Sequence, residues 1–394
     1  MNLIPYGKQN ITQKDINEVV KVLKSDYITQ GPEINKFEQA FSKYIGSKYA
    51  VAVSNGTAAL HLCTIALNLK PNEKVITSPI TFAASANCIR YCGGEVIFSD
   101  IDKSSYLLDI NKVKKLLQDN PKNTFKGIVL VNFSGHLCDL EAFKKLADKY
   151  NLWIIEDACH SPGGSFQDSS KHLQKSGNGN FSDLSIFSFH PVKHIASGEG
   201  GMITTNNLKL YNKLLKLRSH GITKESNLFT NSKDFASGTD NNYFPDWYME
   251  MHELGFNYRL TDFQAALGRS QLKRANSGIK KRRKIAKIYF DSFKSENFIL
   301  GQSGIVDGHA YHLYIIEVND RLGLYNYLKK NKIFAQIHYI PCHLMPYYRN
   351  LGWKEGDLPN AEKYYKKCIS LPIYPTLNQL EQKYVIDKIK KYYK

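Results

Sequence analysis

The sequence predicts an α/β protein: a large, mainly parallel sheet flanked by helices, followed by a smaller α+β unit. Three observations carry this expectation. Short Val- and Ile-rich runs alternate with helical stretches over the first two-thirds of the chain, the pattern of a sheet covered by helices. These runs lack strict apolar–polar alternation, as strands buried on both faces do. The 394 residues exceed one ordinary core, so a second unit is expected.

The strands are expected at "AVAVS" (50–54), "KVITS" (74–78), "EVIFSD" (95–100), "GIVLVNF" (127–133), "LWIIED" (152–157), "LSIFSF" (184–189) and "GMITT" (201–205). Helical patterns lie between most of them, among them 57–69 and 140–151. Residues 163–183, rich in Gly and Ser, read as an exposed connection, and 223–253 as a long polar loop without period. A long helical pattern runs from 259 to 293, and the composition changes after it. The units are therefore set at 1–268 and 269–394.

Composition excludes several classes of function. Hydrophobic residues at 42% and charged residues at 23% are globular proportions, not those of a disordered chain. The opening residues contain no apolar leader segment, and no run approaches the roughly 18 apolar residues of a membrane span. Seven cysteines are scattered singly apart from Cys88 and Cys92, which lack the second pair a zinc site needs. No metal is expected, and an odd count without a leader points to reduced thiols in the cytoplasm. The formal charge of +17 invites a nucleic-acid reading. The lysines, however, are interleaved with acids along helical segments, and no nucleic-acid signature accompanies them. A basic field also attracts anionic metabolites, which fits a nucleotide-linked or phosphorylated substrate.

In an open α/β sheet, ligands bind beyond the carboxyl ends of the strands. Three strand ends here carry complementary chemistry. "AVAVSNGTAAL" passes through Gly56 and Thr57 into a helix, whose first-turn N–H groups form an anion site. "LWIIEDACHSPGG" ends a buried strand with Glu156 and Asp157, followed by His160. A carboxylate at that depth needs a partner; a cationic ring nitrogen would serve, with His160 orienting the carboxylate. "SFHPVKHIASGEGG" holds Lys193 five residues after Ser188, with no helical period around it. Each has a plainer reading alone: Thr57 as a helix cap, Asp157 as a turn cap, Ser188 as a strand-end hydroxyl. Together, an amine beside a phosphate cradle of Gly56, Thr57 and Ser188, opposite a buried carboxylate, is what pyridoxal 5′-phosphate requires.

The segments "SFHPVKHIASGEGGMITTNN", "SNGTAALHLCTIALNL", "IIEDACHSPGG", "RSHGI" and "GFNYRLTDFQAALGRSQLKR" resemble the DegT/DnrJ/EryC1/StrS family of sugar aminotransferases, over nearly the whole chain. The resemblance implies the aspartate-aminotransferase fold (fold type I). It implies Lys193 as the lysine that forms a Schiff base with the cofactor, Asp157 as partner of the pyridine nitrogen, and His160 in contact with that aspartate or the ring. Phe82 matches an aromatic that stacks on the ring; without the resemblance it reads as a core residue. Gly56, Thr57, Ala58 and Ser188 match the phosphate cradle, and Asn257 a phosphate contact supplied by the neighbouring subunit, so a homodimer with shared active sites is implied. Tyr6, Ile28, Thr29, Gln30 and Gly31 match nucleotide-sugar contacts of an N-terminal segment. Tyr339, Ile340, Pro341 and Cys342 of "HYIPCH" match others, as do Ser188 and Asn257. Relatives with histidine in place of the lysine dehydrate sugars, and Lys193 excludes that branch. "SDYITQGPEINKFE" and "SFHPVK" resemble most the subgroup that aminates C4 of UDP-2-acetamido-2,6-dideoxy-β-L-arabino-hexos-4-ulose with L-glutamate as donor. Another UDP-, dTDP- or GDP-linked 4-ketosugar is the alternative substrate, and a non-catalytic cofactor-binding sensor the alternative class.

Overall fold

Every run expected to be a strand enters a single seven-stranded sheet in the computed structural model, which describes residues 3–238 and 243–394. In chain order these are β1 (Tyr49–Val53), β2 (Lys74–Thr77), β3 (Glu95–Phe98), β4 (Phe125–Val131), β5 (Trp153–Asp157), β6 (Leu184–Ser188) and β7 (Gly201–Thr205). Their spatial order is β1-β7-β6-β5-β4-β2-β3. Strand β7 runs antiparallel to both neighbours, and all other pairs are parallel. That single reversal positions the site. A parallel successor would need a crossover to the far edge of the sheet. Instead, residues 189–200 turn back at the carboxyl edge and keep Lys193 there.

Both faces of the sheet are covered, which explains the unbroken apolar runs. On β1, Val51 and Val53 enter one hydrophobic cluster while Ala50 and Ala52 enter another with Phe37 and Phe41 of helix Pro32–Ile45. Helix Gly56–Ala66 is capped by Asn55, whose side chain accepts from the Ala58 N–H at 2.8 Å. It stops short of the expected residue 69, and Asn68 turns the chain in the left-handed region at φ 60°. Helix Leu140–Tyr150 ends in the same way at Asn151.

The stretch 163–183 contains a short hairpin, Ser165–Gln167 with Leu173–Lys175. The polar loop is also organised, although residues 239–242 lie outside the described part. Its ends pair as Ile222–Thr223 with Glu250–Met251. Buried Glu250 accepts from the N–H groups of Thr230 and Asn231, the Thr230 and Tyr248 hydroxyls and His252. One carboxylate replaces a hydrophobic period as the organiser.

The helical pattern 259–293 is two helices, Asp262–Leu272 and Ala275–Phe293, broken at Arg274. A division at 268/269 therefore runs through the first of them. Beyond it, strands Gly301–Gln302, Tyr314–Glu317 and Cys368–Leu371 form an antiparallel sheet. The N-terminal segment reaches this part too. Ile4–Pro5 pairs with Ile333–Phe334, and Ile4 is buried among Tyr289, Tyr314 and Ile316.

The break at Arg274 aims its guanidinium at Asp15, which is fully buried on helix Gln13–Leu23. Arg274 donates to both carboxylate oxygens at 2.9 and 2.7 Å, and Ser270 and Gln271 complete the shell. Burial raises the Asp15 pKa, but the hydrogen bonds from Arg274, Ser270 and Thr12 outweigh it and hold the carboxyl at about 2. A free aspartate titrates near ~3.9. The stability this group contributes is therefore complete at neutral pH and is lost as pH falls from about 4 through about 2. Arg274→Ala leaves a buried charge unpaired and should cost about 3–5 kcal/mol. Thermal unfolding of this variant and of Asp15→Asn/Arg274→Ala tests it. A double variant no more stable than the single one would mean the pairing is not the cause.

Candidate active site

The carboxyl ends of β1, β5 and β6 meet because β7 joins them in register: Gly201 lies opposite both Val53 and Ser188, and Asp157 opposite Ile186. They surround a cavity of about 440 Å³. At one wall, an added Cβ on Gly56 would stand 3.2 Å from the Ser188 Cβ and 3.5 Å from the Cys159 sulfur. The side chain is absent where there is no room for one, and the first N–H groups of an 11-residue helix stay open to the cavity.

Alternation along β5 sends its two terminal acids in opposite directions. Glu156 is turned inward, where Asn132, Ser176, Ser185 and the Gly177 N–H all donate to it, and burial pushes its carboxyl up. Asp157 faces the cavity. Its Oδ2 accepts from the Ser85 hydroxyl at 2.6 Å and its Oδ1 from the Cys159 N–H at 3.1 Å. It is thus the turn cap of the plainer reading and a cavity carboxylate at once.

Lys193 is half-buried and lines the same cavity. Burial pushes its amine below the usual lysine range; Cys159 and Asp157 work against this, and the buried Arg282 guanidinium adds to it. His160 is 5% exposed, its Nδ1 has no partner, and its Nε2 is 3.4 Å from the Tyr339 hydroxyl. Burial, then the charges of Lys193, His338 and His194, hold it neutral.

A model of the DegT/DnrJ/EryC1/StrS aminotransferase family matches residues 9–390. The chain belongs to that family. It is 35% identical to the spore coat polysaccharide biosynthesis protein SpsC of Bacillus subtilis, over 99% of this chain and 97% of that one. It is equally 35% identical to the UDP-4-amino-4,6-dideoxy-N-acetyl-beta-L-altrosamine transaminase of Campylobacter jejuni, over 98% and 96%. Among solved structures, Helicobacter pylori PseC, an aminotransferase involved in the biosynthesis of pseudaminic acid, is similar with a TM-score of 0.86 at 28% identity over 99% of each chain. The PLP-form of Spr1654 from Streptococcus pneumoniae is similar with a TM-score of 0.85 at 27% identity, over 99% and 98%.

Aminotransferases of this family bind pyridoxal 5′-phosphate, and the residues present fit it. An open helix N-terminus with no side chain at Gly56 suits a phosphate, and a buried carboxylate opposite an amine suits the pyridine ring between them. Phe82 is 63% exposed at the cavity, 6.3 Å from the Tyr339 ring. That excludes the reading of a core phenylalanine.

Of the residues singled out in the sequence, the aminotransferase brings Lys193, Asp157, His160, Gly56, Thr57 and Ser188 to this cavity, with Phe82, Tyr6 and Tyr339 at it as well. Others lie elsewhere. The Ala58 N–H is already taken by Asn55. Cys342 is fully buried, its N–H on Pro79 and its thiol toward the Thr81 carbonyl, and burial pushes the thiol up to about 12. It fastens the 339–342 segment to the loop before Phe82 and is not open to a ligand. Ile340 is exposed outside the cavity and Pro341 is buried beside Cys342. His160 does not hold Asp157; Ser85 and the Cys159 amide do.

Ile28, Thr29, Gln30 and Gly31 are tied to the start of helix Asp262–Leu272: Thr29 bridges Thr261, and the Gly31 N–H donates to Asp262 at 2.7 Å. Gln30 and Gly31 line a separate depression of about 240 Å³ with Ser219 and Arg259. Exposed Asn257 bridges that same Ser219.

Several cavity residues gave no signal in the sequence. Ser85 and Thr81, whose hydroxyls are 2.7 Å apart behind Asp157, sit in an ordinary-looking stretch. His338 stands out only as part of "HYIPCH", and His312, which does not line the cavity but lies 3.5 Å from the Lys193 amine, comes from the smaller part of the chain. Spacing cannot reveal a residue that the fold delivers from more than a hundred positions away.

Proposed function

We propose that the chain aminates the C4 ketone of a nucleotide-linked 4-keto-6-deoxy sugar, converting UDP-2-acetamido-2,6-dideoxy-β-L-arabino-hexos-4-ulose to UDP-4-amino-4,6-dideoxy-N-acetyl-β-L-altrosamine with L-glutamate as donor. The observation that carries the chemistry is that Lys193, Asp157 and the open helix N-terminus at Gly56 line one cavity. The substrate is supported by the names of the C. jejuni and H. pylori relatives and by the strongly basic charge. All seven cysteines stand unpaired, which supports work in a reducing compartment such as the cytoplasm.

Bound pyridoxal phosphate supplies a ring that accepts electrons from the carbon bearing the amine. The N–H groups of Gly56 and Thr57, with the Ser188 hydroxyl, would hold the phosphate. Asp157 would keep the ring nitrogen protonated, and the Ser85 hydroxyl and Cys159 amide fix the direction of its oxygens. Lys193 Nζ would take the proton from the donor's amine-bearing carbon and later give one to C4 of the sugar. Burial keeps that amine closer to working pH, where such a base is most effective. Over the two halves L-glutamate would become 2-oxoglutarate, a water supplying its keto oxygen, and the sugar's C4 ketone would become the amine, its oxygen leaving as water.

Incubating the protein with L-glutamate and UDP-, dTDP- and GDP-linked 4-ketosugars, with NMR of the products, tests the substrate. Amination of the UDP-linked N-acetyl sugar at C4 is expected. Preference for a dTDP- or GDP-linked ketosugar would move the chain to the alternative substrate, and no amination of any would favour the sensor.

On this reading the chain is a homodimer with shared sites. Gln30 and Gly31 line a depression away from Lys193, and Asn257 bridges Ser219 of its lining, so a neighbour's cavity is where they would meet the substrate. Mixing inactive Lys193→Ala with inactive Asn257→Asp subunits should then restore about half of wild-type activity per heterodimer, because one of its two sites carries neither lesion. Absence of recovery despite demonstrated subunit exchange would overturn the shared site.

A further inference from the structure

We infer that His312 is a positioning residue for the reaction, its Nε2 accepting a hydrogen bond from the Lys193 amine whenever that amine is free and carries the transferred proton. The inference rests on the lysine-dependent transamination proposed above. Lys193 Nζ lies 3.5 Å from His312 Nε2. That is long for a hydrogen bond, as catalytic contacts are before a site fills. The need is physical. An ammonium formed on a half-buried lysine among buried imidazoles costs free energy unless an acceptor meets it.

Three features hold His312 to this task. It is 4% exposed, with its ring 4.2 Å from that of His160 and 5.7 Å from that of His194. Its backbone is gripped on both sides. The fully buried Arg282 donates to the carbonyls of Tyr311, His312 and Ile373 at 3.2, 3.3 and 2.8 Å. The preceding residue, Tyr311, adopts φ 46°, a left-handed conformation that is costly for a bulky side chain. Such strain persists where surroundings over-determine it, and here the next side chain points at the amine.

The surroundings also keep His312 neutral. Burial, then the positive charges of Lys193 and Arg282, push its pKa well below the ordinary value. Around Lys193 the charged or titratable groups are Asp157, Cys159, His160, His194, His338 and Arg282. The proton therefore passes between the reacting carbon and Nζ and does not leave through the imidazole. His194 does not compete for it: its Nε2 donates to the Ala310 carbonyl at 2.9 Å and its Nδ1 meets no partner among the described residues.

Leucine and glutamine at position 312 have similar volume and differ in having an acceptor. His312→Leu should slow the glutamate half-reaction roughly ten- to a hundredfold, the loss expected when a hydrogen bond to a charge goes unmade, with the KM for glutamate unchanged. His312→Gln should stay within about threefold of wild type. In the cofactor-free chain, pH-dependent acetylation of Lys193 read by peptide mass should give an apparent pKa lower by about one unit in the leucine variant only. Leucine and glutamine variants behaving alike in either measurement would overturn the proposal. In the unaltered chain, 15N-histidine NMR should find His312 neutral with Nε2 unprotonated; an N–H at Nε2 would overturn it without any variant. A wild-type enzyme that does not turn over glutamate would instead defeat the transamination reading.

Discussion

Lys193→Ala should abolish transamination while leaving the fold intact. The amine has two roles, attachment of the cofactor and movement of the proton, and neighbouring groups cannot take over either. Asp157 faces it with a carboxylate, and the closest imidazole, His312, is kept neutral by burial and by the cations around it. Proton transfer by a positioned group is commonly worth about 10² to 10⁴ in rate; with attachment lost as well, turnover should fall by about 10⁴ or to background. Stability should not fall, because the side chain makes no ion pair among the described residues and burial disfavours its charge. Borohydride reduction of the wild-type holoenzyme followed by peptide mapping should label Lys193. Label on another lysine would sink the assignment.

Asp157→Asn should keep cofactor but lose on the order of a hundredfold or more in rate, the usual cost of removing a charge aimed at the reacting system. The amide oxygen can still accept the Cys159 N–H, and the amide nitrogen can turn to the Ser85 hydroxyl as donor. The turn after β5 should therefore survive, and the variant isolates charge from shape. Near-normal turnover would mean the carboxylate is only a cap. Titrating the cofactor into the variant separates weakened binding from weakened chemistry.

The strands and the two principal site residues were legible because their signals are local. A run such as "GIVLVNF" is apolar wherever it packs, and Asp157 and Lys193 stand out by following such runs. Strand direction has no local signal: nothing in "GMITT" says that β7 reverses. The helix break at Arg274 is equally silent, since neither Pro nor Gly marks it and the partner that Arg274 meets there, Asp15, lies far upstream. Glu250 organises a loop that periodicity could only describe as shapeless. The resemblance supplied Phe82 and Tyr339 but also carried over Cys342, which the fold uses to pin a loop. Ser85 and His312 were invisible because each acts through a partner brought in by the tertiary fold.

The pairing of Ile4–Pro5 with Ile333–Phe334 has a consequence for the order in which a ribosome delivers this chain. The strand at Ile4 is made long before its partner. At about 5–20 residues per second, Ile4 waits on the order of tens of seconds for Ile333 to emerge. Helix Gln13–Leu23 waits almost as long for Asp262–Leu272, with Ile16, Val20 and Leu23 on an exposed side even in the finished fold. During that interval the nascent chain carries an unpaired strand edge and a helix with exposed apolar residues. This is a stretch that a chaperone would find open.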